Sequence, residues 1–255
     1  MCKSATELEK MHQAGLVVWE VLNGLRERVR PGVTTLELEE FAASRAAERK
    51  VRPAFKGYRG YPCVLCASVN KEVVHGIPSK SRTLQEGDII SLDFGVEYQG
   101  YYGDAAVTVP VGKISPAREK LLRVTRESLD KAIENVRLGS HLGDIGSAVQ
   151  KWVEKDGFSV VRDFVGHGIG TKMHEEPNVP NYGVPGQGPR LEEGMVFAIE
   201  PMVNAGGPGV KVLEDHWTAV TSDGSDSAHF EHTVAVTSNG PWVLTRPRES
   251  AGVSW

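Results

Sequence analysis

The chain reads as an α+β protein built from two similar halves, and three observations predict this. A passage closing on an acid occurs twice: Leu84-Gln-Glu-Gly-Asp-Ile-Ile-Ser-Leu-Asp93 and, 107 positions on, Leu191-Glu-Glu-Gly-Met-Val-Phe-Ala-Ile-Glu200. The same offset carries Val29-Arg30-Pro31-Gly32 onto Val136-Arg137-Leu138-Gly139, so a related turn precedes the second helical stretch of each half. Helical patterns come before strand patterns in each half, and the strands are joined by short links, which favours an antiparallel sheet over β-α-β alternation. Solenoid periods run only to roughly 50 residues, so a repeat this long implies two packed halves. Their bounds are about 1–112 and 113–244 within one domain spanning 1–255, with 245–255 as a C-terminal tail.

Each element has a local cause. Ser4-Ala-Thr-Glu7 has capping-box spacing, and Leu8, Met11, Leu16, Val18, Val21, Leu22 and Leu25 sustain an amphipathic helix to about Val29 before Pro31-Gly32 stops it. Thr34-Thr-Leu-Glu37 opens a second helix through Glu48, followed by a Gly-, Pro- and Tyr-rich stretch from Pro53 to Pro62. Val64–Val69, Ile89–Phe94 and Ala105–Val109 read as strands, with Gln99-Gly100 as a turn. Ser115-Pro116 supplies an N-cap and a first-turn proline for a helix to about Val136. A fourth helix covers His141 to Lys155, and strands follow from Phe158.

Composition narrows the function classes. A formal net charge of -4 with scattered basic residues carries no electrostatic footprint for nucleic acid. No apolar run approaches the ~20 residues of a membrane helix, and the first residues lack a signal peptide's apolar segment, so a cytoplasmic location is expected. Three cysteines, Cys2, Cys63 and Cys66, are too few for a disulfide framework. Cys63 and Cys66 have C-x-x-C spacing, but without a second pair or a following helix they read as reduced, partly buried thiols.

Four acids stand at the ends of apolar runs: Asp93, Asp104, Glu200 and Glu231. A lone buried carboxylate there would be costly unless paired or bound to a metal. Four acids, no cysteine and one histidine describe a hard site suited to manganese, iron(II), cobalt(II) or zinc. Phe164-Val-Gly-His167-Gly-Ile-Gly-Thr-Lys-Met-His174 supplies the histidine between glycines, with His174 seven residues on; His75 sits in Val73-Val-His-Gly-Ile-Pro78. His12, His141, His216 and His232 have no comparable setting and read as structural.

These residues resemble the type I methionine aminopeptidases, bacterial-like, over nearly the whole chain. The motifs are Tyr58-Arg-Gly-Tyr-Pro62, Asn70-Lys-Glu-Val-Val-His75-Gly-Ile-Pro78, Asp93 with Asp104, His167 to His174, Glu200-Pro201 and Phe230-Glu231-His-Thr233. The resemblance implies the pita-bread fold: two pseudo-symmetric α+β halves around a curved antiparallel sheet. It implies two divalent ions (Co2+, Mn2+, Fe2+ or Zn2+), one on Asp93, Asp104 and Glu231, the other on Asp104, Glu231, His167 and Glu200. Glu200 would be the general base, His174 the donor to the carbonyl oxygen, and His75 a partner of the scissile amide. Tyr58, Tyr61, Cys66 and Trp217 match pocket walls; Met173 stands where phenylalanine is usual and His229 where glutamine is usual, both bearing on the pocket's shape. Asn70 and Ser227 match a monovalent-cation (Na+ or K+) loop. The implied substrate is the N-terminal methionine of nascent polypeptides with a small second residue, met in the cytoplasm, at the ribosome, by a monomer that binds neither nucleic acid nor membrane.

Two other readings compete. A proline-specific aminopeptidase or dipeptidase shares fold and ligands but usually carries an extra N-terminal domain. A non-enzymatic pita-bread binding protein would have lost ligands that this chain keeps. A type II enzyme would need a helical insertion that the 26 positions from His174 to Glu200 leave no room for.

Overall fold

The computed structural model describes residues 2–248. Four α-helices form where the caps predict: α1 at Ala5–Arg26, α2 at Thr35–Glu48, α3 at Pro116–Glu134 and α4 at Leu142–Glu154. Ser4 and Thr34 close reciprocal capping boxes with Glu7 and Glu37, satisfying amide donors that a helix start leaves free. α1 stops short of Val29 because the amides of Glu27 to Val29 fold back on Asn23 and Leu25 and Arg30, preceding a proline, is steered away from helical geometry. No helix among the described residues is long and apolar enough to cross a membrane.

The strands pair only antiparallel among the described residues. The main sheet runs Arg52–Pro53, Ile89–Tyr98, Tyr101–Pro110, Glu231–Thr237, Val196–Ile199, Gly166–Gly168 and Glu175–Val179, with Leu65–Val69 and Gly240–Val243 as branches. Two three-stranded sheets flank it. The strands around Gln99-Gly100 run longer than their apolar cores suggest, because φ of 52° and 84° at those two residues makes a primed turn whose twist lets pairing continue to Tyr98 and Tyr101. Along Ile89–Tyr98 the residues alternate: Ile90, Leu92, Phe94 and Val96 join a core shared with all four helices, leaving Ser91, Asp93 and Gly95 for the opposite face.

The repeat is visible in hydrogen bonds. The Gly32 amide donates to the Leu84 carbonyl at 2.9 Å, and the Gly139 amide to that of Leu191 at 2.9 Å; Leu84 donates to Val33 at 2.8 Å, Leu191 to Ser140 at 2.7 Å. Isolated bridges join Thr34 to Thr83 and His141 to Arg190, again 107 apart. At the start of the 245–255 tail Thr245 is fully buried and its Oγ1 meets His232 Nδ1 at 2.8 Å. Residues 249–255 lie outside the described residues.

Candidate metal centre and substrate cavity

Sheet register builds the centre as two adjacent rungs. Residues directly opposite in antiparallel strands point to one face. Asp93 faces Ala106, which faces Glu231; Glu200 stands just past Ile199, the partner of His232. On the next rung Gly95 faces Asp104, while Thr233 faces Ala198, which faces His167. Thr233 Oγ1 joins these segments, accepting from the Asp104 amide at 3.1 Å and donating to the Asp104 carbonyl at 2.8 Å. The acids and the histidine thus share one face, separated by alanine, threonine and glycine. Gly95 is required there: a Cβ on it would come within 2.9 Å of Asp104 Oδ1.

The geometry suits a cation. Donor atoms of Asp104, His167 and Glu231 lie within 4.8 Å of one another, all three residues buried. His167 Nε2 is 3.7 Å from Glu200 Oε1. Asp93 Oδ1, Asp104 Oδ1 and Glu231 Oε1 are buried without a hydrogen-bond partner, a costly condition for oxygens unless something positive faces them. Burial pushes the carboxyls of Asp93, Asp104, Glu200 and Glu231 up, and mutual repulsion adds to this for Asp93, Glu200 and Glu231. Burial, with the neighbouring His174, lowers His167 to about 3, so its ring is a neutral donor at neutral pH. Oxygen-rich ligands with one neutral imidazole fit a divalent transition ion.

Beside the acids lies a cavity of about 150 Å³. Its walls include Phe55, Tyr58, Tyr61, Cys66, Met173 and Trp217, and its polar edge His75, His174 and the acids. Tyr58 stacks on His174 with centroids 5.1 Å apart, Tyr61 meets Trp217 edge-on at 5.1 Å, and His167 and His174 rings lie 4.1 Å apart. Tyr61 is fixed by donation toward the carbonyls of Leu65 and Gly76, both 3.0 Å away. Cys66 is opposite Asp93 in the sheet, and burial raises its thiol well up, with the Asp93 charge adding to this. His75 holds φ of 60° and its ring packs edge-on against Phe164 and Trp217; burial, then His174, lowers it to about 4. Burial, then the charge of Arg59, also lowers His174.

Two residues escaped the sequence reading. Phe55 and Arg59 line the cavity, and the available signal was their place in the Gly-, Pro- and Tyr-rich stretch, where Arg59 takes φ of 48° between Gly57 and Gly60. His229, expected to bear on the pocket's shape, is not among the lining residues and lies behind the acids at 1% exposure, with Nε2 3.6 Å from Glu200 Oε2. Asn70 and Ser227 are neighbours, the Ser227 amide donating to the Asn70 carbonyl at 2.9 Å. The side chain of Asn70 is engaged by Asp88 and the Ile89 amide.

A model of metallopeptidase family M24 matches residues 9–238. Proteins named methionine aminopeptidase from Clostridium acetobutylicum (53% identical, covering 95% of this chain and 97% of that protein) and Bacillus subtilis (50%, covering 96% and 99%) align over nearly their full lengths. The chain belongs to the bacterial methionine aminopeptidases of metallopeptidase family M24. A crystal structure of the methionine aminopeptidase from Thermotoga maritima superposes on this M24 chain with a TM-score of 0.95 at 50% identity, covering 97% of this chain and 99% of the other. The prolidase of Pyrococcus horikoshii superposes at 0.78 with 22% identity and with 64% of its length covered, a likeness of fold. The pita-bread architecture is therefore shared by both.

Proposed function

We propose that this chain removes the N-terminal methionine from nascent proteins and peptides whose second residue is small, as a dinuclear metallo-aminopeptidase. The observation that carries the reading is the juxtaposition of four carboxylates, Asp104 and Glu231 buried and Asp93 and Glu200 half-buried, and a neutral histidine with a small apolar cavity lined by aromatic and sulfur side chains. A thioether side chain packs well on such aromatic faces, and a cavity of about 150 Å³ leaves little room for more than one side chain.

Asp93, Asp104 and Glu231 would hold one divalent ion, and Asp104, Glu231, His167 and Glu200 the other. When bound, such a pair supplies Lewis acidity, making the attacking water more acidic and offsetting charge on the carbonyl oxygen. Glu200, at the edge of the cavity, would take the water's proton and pass it to the leaving amine. His174, stacked on Tyr58, donates to the carbonyl oxygen as negative charge develops. His75 bonds the scissile amide. Tyr58, Tyr61, Cys66, Met173 and Trp217 enclose the methionine side chain. A monovalent cation beside Asn70 and Ser227 would brace the two segments that carry them. By family resemblance the enzyme works as a monomer in the cytoplasm, on chains emerging from the ribosome.

Purified protein supplied with Mn2+ or Co2+ should cleave Met-Ala-Ser and spare Ala-Pro and Gly-Pro peptides. An intact Met-Ala-Ser beside a cleaved proline peptide would sink this reading in favour of the proline-specific one. His174→Ala should lose turnover by about 10²-fold or more while binding metal normally; metal loss in that variant would contradict the donor role.

A further inference from the structure

His229 is buried to 1% exposure, and its Nε2 is the one histidine nitrogen among the described residues found buried without a hydrogen-bond partner. Its nearest charged neighbours are Glu200 Oε2 at 3.6 Å and Glu231 Oε2 at 4.0 Å. Glu200 is thus flanked on both oxygens by imidazoles, with His167 at 3.7 Å from Oε1.

The backbone of the histidine is held in this position. Thr108 Oγ1 accepts from the His229 amide and donates to the His229 carbonyl, both at 2.8 Å. Because its single proton goes to that carbonyl, Thr108 must accept from Ser91 Oγ, 2.8 Å away. His229 is also paired with Met202 across a strand. Glu200, by contrast, follows the end of its strand and precedes Pro201, so its longer side chain is the adjustable partner. A separation of 3.6 Å exceeds a hydrogen bond by about 0.5 Å, a gap that rotation of the Glu200 carboxylate closes, and closure also satisfies a buried N–H that would otherwise be costly.

We propose that His229 is a positioning residue that donates from Nε2 to Glu200 Oε2 and so sets the roll of that carboxylate, presenting Oε1 beside His167. The inference rests on Glu200 being a metal ligand, and its tests are separable from the substrate reading.

In zinc-loaded wild-type protein with ¹⁵N-labelled histidine, long-range proton–nitrogen spectra should show His229 as the Nε2–H tautomer with an exchange-protected proton, assigned by its disappearance in His229→Gln. An Nδ1–H tautomer overturns the proposal, whatever the fate of any variant. His229→Leu should lose about 10- to 100-fold in turnover, the usual range for removing an orienting partner of a metal ligand, with KM little changed and an altered visible spectrum of the Co2+-loaded protein. His229→Gln, which keeps an N–H donor, should restore both turnover and spectrum. Normal turnover and spectrum in His229→Leu, or a raised KM with normal turnover, would make the residue a packing or pocket element and reject the role, as would a Gln variant as impaired as the Leu one. If wild-type protein cleaves no methionine peptide, the substrate reading fails while the tautomer and the Co2+ spectrum still decide this one.

Discussion

The two copies of the repeated passage share their beginning and differ at their end. Gly87 and Gly194 take φ of 93° and 85° and donate to Val111 and Val236 at 2.9 Å each. Beyond the turn the copies part. In the first half the strand runs five residues past the acid, to Tyr98, so Asp93 sits mid-strand between Cys66 and Ala106. In the second half the strand ends at Ile199, because Pro201 has no amide to donate, and Glu200 projects from the terminus on a longer side chain. A short acid on a paired backbone is suited to holding an ion; a long acid at a strand end is suited to moving a proton as well. The same turn chemistry therefore delivers two carboxylates with unequal mobility.

Substitution of the two acids should give the largest contrast. Glu200→Gln should lower turnover by roughly 10²–10⁴-fold, the range for losing a general base, with much of the bound metal retained. Asp93→Asn should instead lose metal in direct stoichiometric analysis. Equal metal loss in both would erase the distinction. The two glycines sharpen the comparison at smaller scale. Alanine at either position costs about 1–3 kcal/mol for a side chain at positive φ, but Gly194→Ala should cost more. Its Cβ would lie 2.4 Å from the Lys3 carbonyl oxygen, whereas at Gly87 the nearest atom is 3.8 Å away. Urea denaturation ranks the pair; a larger cost at Gly87 would refute the packing argument.

The smallest expected effect concerns the place where the halves meet. Burial raises the carboxyls of Asp93, Asp104, Glu200 and Glu231. Without metal, the stability they confer is present below the ordinary carboxylate range, near pH 4, and is lost as pH rises through their folded-state values. Half-buried His75 and buried His167, His229 and His232 are lowered to about 4, 3, 3 and 3, so they oppose this trend only below about pH 6.5, their ordinary value. Above that value the acids act alone, and stability should fall as pH rises through about 7, the folded-state value of Asp104, because the folded state binds more protons than the unfolded one. Metal-free protein should melt progressively lower as pH rises through about 7, and saturating Mn2+ should flatten the slope. A flat profile without metal would show that the acids are not mutually destabilising.

Much of this molecule was legible in the chain because its signals are local. Ser4, Thr34 and Ser115 cap helices as their spacing predicts, and Gly32 and Gly139 turn the chain where the repeat places them. The acids stood out because charge at the end of an apolar run is costly without a compensating partner. His229 was misplaced for the opposite reason: a side chain's face depends on register with strands distant in sequence, here Met202 and the Thr108 clamp. Phe55 and Arg59 belong to a stretch without periodicity, so nothing local reports which way they point.

By itself the sequence determined the helix boundaries to within a few residues, the duplicated turn, the identity of the acids and histidines, and the family to which they belong. Caps, turns and unpaired charge are set by neighbours along the chain. Tertiary structure alone decided that Asp93, Ala106 and Glu231 align on one rung, that Gly95 makes space for Asp104, and that His229 stands behind Glu200 and not on the cavity wall. Those relations join residues up to about 140 positions apart, and only hydrogen-bond register across the sheet can establish them.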